Sequence, residues 1–123
     1  MRATFVIPGR LPSLNEYIHA CNRAWYIGEG FKKKQMRIIG NAIIACNLPK
    51  FLKPVVVYFR WFEKDHRRDR DNIRSAEKYV MDALKQTQRI TNDTQKWVKD
   101  SKHEILFDPI EPRVEVTLEE TMP

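Results

Sequence analysis

Residues 55–84 read VVVYFRWFEKDHRRDRDNIRSAEKYVMDAL. The run Val55–Phe62 is β-branched or aromatic at both alternating sets of positions, which predicts a central strand covered on both faces. From Ile73 the period changes. Ile73, Ala76, Val80 and Leu84 fall on one stripe flanked by Met81 and Ala83, with Arg74, Ser75, Lys78, Asp82 and Lys85 opposite; this predicts a helix over 73–85. The segment between them carries Asp69 and Asp71, two residues apart and embedded in Arg67, Arg68 and Arg70, with Asp71 or Asn72 placed to cap the helix. Charges of both signs packed this densely resist dry burial, and they suit a junction where a cation and a polyanion are held together.

The flanking chain supplies the rest of a sheet. Arg2–Ile7 alternates with Ala3, Phe5 and Ile7 on one face and stops at Pro8-Gly9, a strand. Arg10–Ala24 contains Pro12, Ser13, Asn15 and Asn22 and reads as an ordered polar loop anchored by Leu14, Tyr17 and Ile18. Phe31–Cys46 reads as a helix, because Met36, Ile39, Ile43 and Cys46 recur at spacings of three and four; Gly40 weakens it by roughly 1 kcal/mol relative to Ala. Lys32, Lys33 and Lys34 then occupy the first turn, with Arg37 one turn on. Cations there oppose the helix dipole, so local stability does not account for them, whereas phosphate binding or a solvated basic face does. Trp97–Phe107 and Arg113–Leu118 read as two strands joined at Pro109–Pro112 in an antiparallel hairpin. The order predicts a single domain over 1–123, an α/β (α+β) fold with a mixed sheet of about four strands and two main helices packed on it.

Composition narrows the class. With 123 residues, 42% apolar and 31% charged, the chain is long enough to bury a core and too apolar for disorder. A net charge of +6 and a pI near 9.5 favour a polyanionic partner, nucleic acid ahead of a membrane. Cys21 and Cys46 share no metal or redox spacing and read as free thiols of a reducing compartment. No apolar run is long enough for a signal peptide or a membrane span, which predicts a soluble chain that is not exported. His19, His66 and His103 share no ligand spacing with the cysteines, so zinc is disfavoured, and P-loop, GxSxG and dinucleotide patterns are absent.

Two aspartates at i and i+2 on an extended strand end would point the same way, about one ion apart. Hard carboxylate oxygens suit Mg²⁺ or Mn²⁺, and Asp93 is the third carboxylate outside the helix best suited to complete the site. Such ions polarise a phosphodiester and activate water, while a nearby lysine offsets charge building on phosphate. A DxD pair also occurs in sugar-nucleotide enzymes and in aspartyl phosphatases, although the latter want DxDxT and here Asn72-Ile73 follows. A self-paired acid–base loop is the plain alternative.

The pattern as a whole resembles the RusA family of Holliday-junction resolvases of prophages and bacteriophages. LPSLNEY, with Pro12, Ser13, Asn15 and Tyr17, is similar to the family's N-terminal segment; RRDRDN matches its DxDN core at Asp69, Asp71 and Asn72; MDAL matches its DAL ending at Asp82; and NDTQ matches a further element at Asp93 and Gln95. The resemblance covers most of the chain. It implies a homodimeric, Mg²⁺-dependent endonuclease that nicks four-way junction DNA in pairs, in the cytoplasm of a bacterial or phage-infected cell. It also implies a metal site of Asp69, Asp71 and Asp93. Shorter family members place a functional lysine four residues after the second aspartate, which is Ser75 here; alignment back from DAL assigns the role to Lys78. Asn15, Asn72, Arg67, Arg68, Arg70, Lys32, Lys33, Lys34 and Arg37 are the expected DNA contacts, holding backbone phosphates with a steep salt dependence. A nucleic-acid-binding module that does not cut, a nuclease of other specificity and a structural phage protein are the alternatives.

Overall fold

A computed structural model describes residues 1–121. Eight elements follow one another: β1 (Arg2–Pro8), α1 (Leu14–Arg23), α2 (Trp25–Ala45), β2 (Val55–Glu63), α3 (Arg70–Arg74), α4 (Glu77–Gln86), β3 (Val98–Phe107) and β4 (Arg113–Glu120). The strands form one mixed sheet in the order β1-β4-β2-β3, antiparallel except for the parallel pair β2/β3. This is the small α+β architecture that the sequence implies. Ala3, Phe5 and Ile7 point inward as read, Val114, Val116 and Leu118 are buried on β4, and the stripe Ile73, Ala76, Val80 and Leu84 closes the core from the helical side.

Several details differ from the sequence reading. Residues 14–23 are helical rather than a loop. Ser13 caps α1: its Oγ accepts from the Glu16 amide at 3.3 Å, and Glu16 Oε2 accepts from the Ser13 amide at 2.7 Å. This reciprocal capping box satisfies two amides that a helix start leaves open. Leu14 and Tyr17 pack on the core, whereas Ile18 is exposed. Ala24, in extended conformation, is the single residue separating α1 from α2. The second helix therefore begins at Trp25 instead of Phe31, and Lys32–Lys34 lie about two turns inside it. They do not oppose the dipole at its terminus.

The helix expected over 73–85 is broken. At the break Ser75 Oγ donates to the Asn72 carbonyl at 2.7 Å, and the Ala76 amide donates to Ile73 O at 3.3 Å, a tighter turn than the α-helical bond. The cap of α3 is Asp69, whose Oδ1 accepts from the Asn72 amide at 2.8 Å, and neither Asp71 nor Asn72. β3 and β4 do not form a hairpin. The connection between them straddles the end of β2, where the Asp108 amide donates to Glu63 O at 2.8 Å, and β4 inserts between β1 and β2.

β2 is internal to the sheet, but only one of its faces is covered. Val55, Val57, Phe59 and Trp61 are buried, while Tyr58 and Phe62 on the other face are half-buried beneath long cationic side chains. Arg2 and Lys102 lie 5.7 and 5.8 Å from the Tyr58 ring centre, and Arg113 lies 3.8 Å from that of Phe62. Apolar stems and cation–π attraction shield these rings where no helix does.

α1 and α2 approach closely at Gly28, where an added Cβ would meet Cys21, 2.9 Å from its Cα and closer still to its sulfur. Backbone on that side cannot yield as a flexible side-chain end could. Gly28→Ala should cost about 1–3 kcal/mol despite the better helix propensity of alanine, read as a lower urea midpoint with unchanged slope.

Candidate functional site

The loop leaving β2 is fixed by a buried ion pair. Glu63 ends β2 pointing inward, and Arg68 meets it with Nε and Nη2 at 2.9 and 2.8 Å, both side chains largely shielded at 14% and 8% exposure. The remaining Nη1 donates to the Leu11 carbonyl at 2.9 Å. Arg68 is therefore a structural clamp, and its expected role as a DNA contact is corrected: its donors are spent inside the protein. Arg67 remains on the surface beside Asp65, and Arg70 is exposed at the start of α3.

Beyond the clamp, the N-terminal motif is stitched to the α3–α4 segment. The Leu14 amide donates to Ser75 Oγ at 3.1 Å, Asn15 Nδ2 donates to Asn72 Oδ1 at 3.2 Å, and Tyr79 Oη donates to the Ser13 carbonyl at 3.2 Å. Burial, with Glu16 and Tyr17 nearby, pushes the Tyr79 phenol up to about 12, so it is a fixed neutral donor. Ser75 is thus engaged at the helix break, and Lys78 is the lysine that faces carboxylates.

Lys78 is the centre of a charged chain. Its Nζ lies 2.9 Å from Asp82 and 3.9 Å from Asp93; Lys32 reaches the other oxygen of Asp82 at 3.3 Å, and Lys85 reaches Asp93 at 3.7 Å. The hydrogen bond to Asp82, reinforced by the charges of Asp82 and Asp93 against a smaller burial effect, raises the Lys78 pKa. Lys78 therefore serves as a cation rather than as a base.

The aspartates of the DxD pair lie elsewhere. They are not on a strand end: Asp69 caps α3, and Asp71 sits in its first turn, 91% exposed, with Oδ1 2.8 Å from Arg74 Nη2. Among the described residues no three His, Cys, Asp or Glu side chains come together as a metal site. Asp69, Asp71 and Asp93 as placed are not gathered into one site for Mg²⁺.

A concavity of about 1030 Å³ runs between α2 and α4. Lys32, Lys33, Arg37, Lys78 and Lys85 line it together with Glu29, Asp82, Trp25 and Tyr17. Lys34 is exposed on α2 and is not part of the lining. A smaller cavity of about 370 Å³ joins Arg74, Ser75, Lys78 and Asp93 to Glu77 and Ser101. Sequence reasoning missed Lys85, Glu77 and Trp25. Only the i, i+7 spacing of Lys78 and Lys85 could have shown the lysine, because the partner strand of Glu77 is distant in sequence.

Glu77 anchors this region to β3. His103 stacks on Phe59 and Trp61, accepts from Trp61 Nε1 at 3.0 Å, and places Nε2 3.6 Å from Glu77. Burial works to raise the Glu77 pKa, but the hydrogen bonds of His103 and Ser101 and the charges of His103 and Arg74 outweigh it and lower the value. Neither the protein-family models nor the curated proteins give a match to this chain.

Two outcomes follow from these contacts. Arg68→Ala leaves Glu63 buried without its partner and should cost about 3–5 kcal/mol in urea unfolding, the range for breaking one side of a buried pair. Because the Glu77 carboxyl titrates lower in the folded chain, its contribution is complete at neutral pH and is lost as pH falls through that depressed value. Glu77→Gln should therefore lower Tm near neutrality and lose less Tm than wild type on acidification, as measured by calorimetry across the acid range.

Proposed function

We propose that this protein is a Mg²⁺-dependent, structure-selective endodeoxyribonuclease that acts on four-way DNA junctions as a homodimer in the cytoplasm, with Mn²⁺ able to replace Mg²⁺. One observation carries the reading. Segments of the RusA resemblance meet in pairs: Asn15 of the N-terminal motif bonds Asn72 of DxDN, Ser13 bonds Tyr79 on α4, and Lys78 on α4 joins Asp82 to Asp93. Of these residues Lys78 and Asp82 also line the basic groove, with Tyr17, Lys32, Lys33, Arg37 and Lys85.

In this reading the groove cations hold backbone phosphates, and recognition is by shape rather than by base sequence. Lys78, kept protonated by its two aspartates, offsets charge that builds on the phosphate under attack. Asp71 is open to solvent and can exchange Arg74 for another cation, whereas Asp69 would have to share its cap of α3. The dispersal of the carboxylates favours a second reading, a module that binds nucleic acid without cutting it.

Nicking of a labelled four-way junction in Mg²⁺, with linear duplex as control, separates the two. Wild type should nick symmetrically and Asp71→Asn should bind with similar affinity but cut at least about 100-fold more slowly. Tight junction binding with no cutting in either Mg²⁺ or Mn²⁺ assigns the chain to the second reading.

A further inference from the structure

Trp25 is unusual among the tryptophans. Trp61 is buried under His103, but Trp25 is 76% exposed on the wall of the basic groove, braced edge-on by Tyr26 with ring centres 5.9 Å apart. Water gains nothing from so large an apolar face, and neither of the ion pairs beside it covers the ring. Around it, five lining cations stand against two lining carboxylates, Glu29 and Asp82. Both carboxylates are neutralised by groove lysines, Glu29 by Lys33 at 3.0 Å and Asp82 by Lys78 and Lys32, and Asp93, just outside the lining, meets Lys85 and Lys78; five cations thus face three carboxylates. What remains is a surplus of positive charge above an apolar floor of Tyr17, Cys21 and Met36.

We propose that this groove takes an unpaired stretch of DNA, one base stacked on Trp25 and the adjoining phosphates on Arg37 and on Lys33 and Lys85, which exchange Glu29 and Asp93 for phosphate. The physical ground is that an outward-facing indole can stack only on a base whose own face is free. In continuous duplex each face is covered by the neighbouring base pair; in a single strand, or where strands part at a branch, it is not. Charge alone would attract duplex and single strand alike, so the tryptophan supplies the discrimination. The choice of DNA rests on the nuclease reading above; the stacking itself does not require cutting.

The test is fluorescence anisotropy in chelator, so that nothing is cleaved. Its probes are an oligothymidine on the order of ten nucleotides, an oligouridine of equal length and a fully paired DNA duplex of the same length. Trp25→Leu should weaken oligothymidine binding about tenfold and duplex binding by no more than about twofold, while Trp25→Phe retains most of the affinity. Circular dichroism checks that the exposed substitution leaves the fold intact. An equal loss on oligothymidine and duplex, or no loss on either, overturns base docking. Tighter Trp25-dependent binding of oligouridine than of oligothymidine overturns the assignment to DNA. Junction nicking scored in parallel keeps the two readings apart: wild-type nicking with no Trp25 effect on oligomer binding sinks only the docked base, and a Trp25-dependent oligomer without nicking sinks only the nuclease.

Discussion

The bidentate pair between Glu63 and Arg68 ties three separate segments of this molecule together. A carboxylate at the inward-facing end of a central strand would be intolerable alone, and only a partner that also satisfies its lone pairs makes it stable. Arg68 does this with two nitrogens and spends its third on the Leu11 carbonyl. One guanidinium thereby pins the end of β2, the turn into α3 and the segment that leads into α1. The hydrogen bonds that join Ser13, Leu14 and Asn15 to Tyr79, Ser75 and Asn72 form where that segment lies against α3 and α4.

The charged residues divide by what they face. Near β2 they pair with each other and become structure, as with Arg68 and Glu63. On α2 and α4 they form a ladder, Lys32–Asp82–Lys78–Asp93–Lys85, in which cations outnumber carboxylates. The Lys32–Asp82 pair ties the two helices together, and the excess of cations leaves the groove positive. Negative side chains here position the lysines and keep Lys78 charged, so the acidic residues serve the basic surface as much as they interrupt it.

Much of the architecture was legible because burial leaves a period in the sequence. The inward sets of β1 and β4 and the stripe from Ile73 to Leu84 were readable from spacing alone, and the stripe survives even though its helix is broken. What failed was what depends on distant partners or on single side chains. Ser13 and Glu16 carried a capping signal, but Pro12, Asn15 and Asn22 around them looked like loop chemistry and masked α1. The break at 75–76 is a local tightening of the backbone at the Ala76 amide, which leaves the apolar period intact. The pairing of β3 with β2 cannot be seen in the short connection at 108–112, which has the length of a hairpin turn. The groove residues Lys32, Lys33, Arg37 and Lys78 were read from the sequence, whereas the position of Trp25 beside them depended on knowing that α2 starts there. Asp69 and Asp71 looked parallel only on the assumption of an extended backbone, and α3 turns them apart.

The insertion of β4 between β1 and β2 has a bearing on how the protein comes into being. β1 leaves the ribosome early yet has no strand neighbour until residues 113–120 follow, more than a hundred positions later. Until then β1 and β2 each present an unpaired edge toward the place that β4 will fill. The sheet consequently cannot be built progressively as the chain emerges. Its middle arrives after its margin, and loop closure on this scale makes such pairing slow. During synthesis the helices and the basic groove residues of α2 are available before the sheet that supports them, so completion of the fold is governed by the delivery of one late strand into a waiting slot.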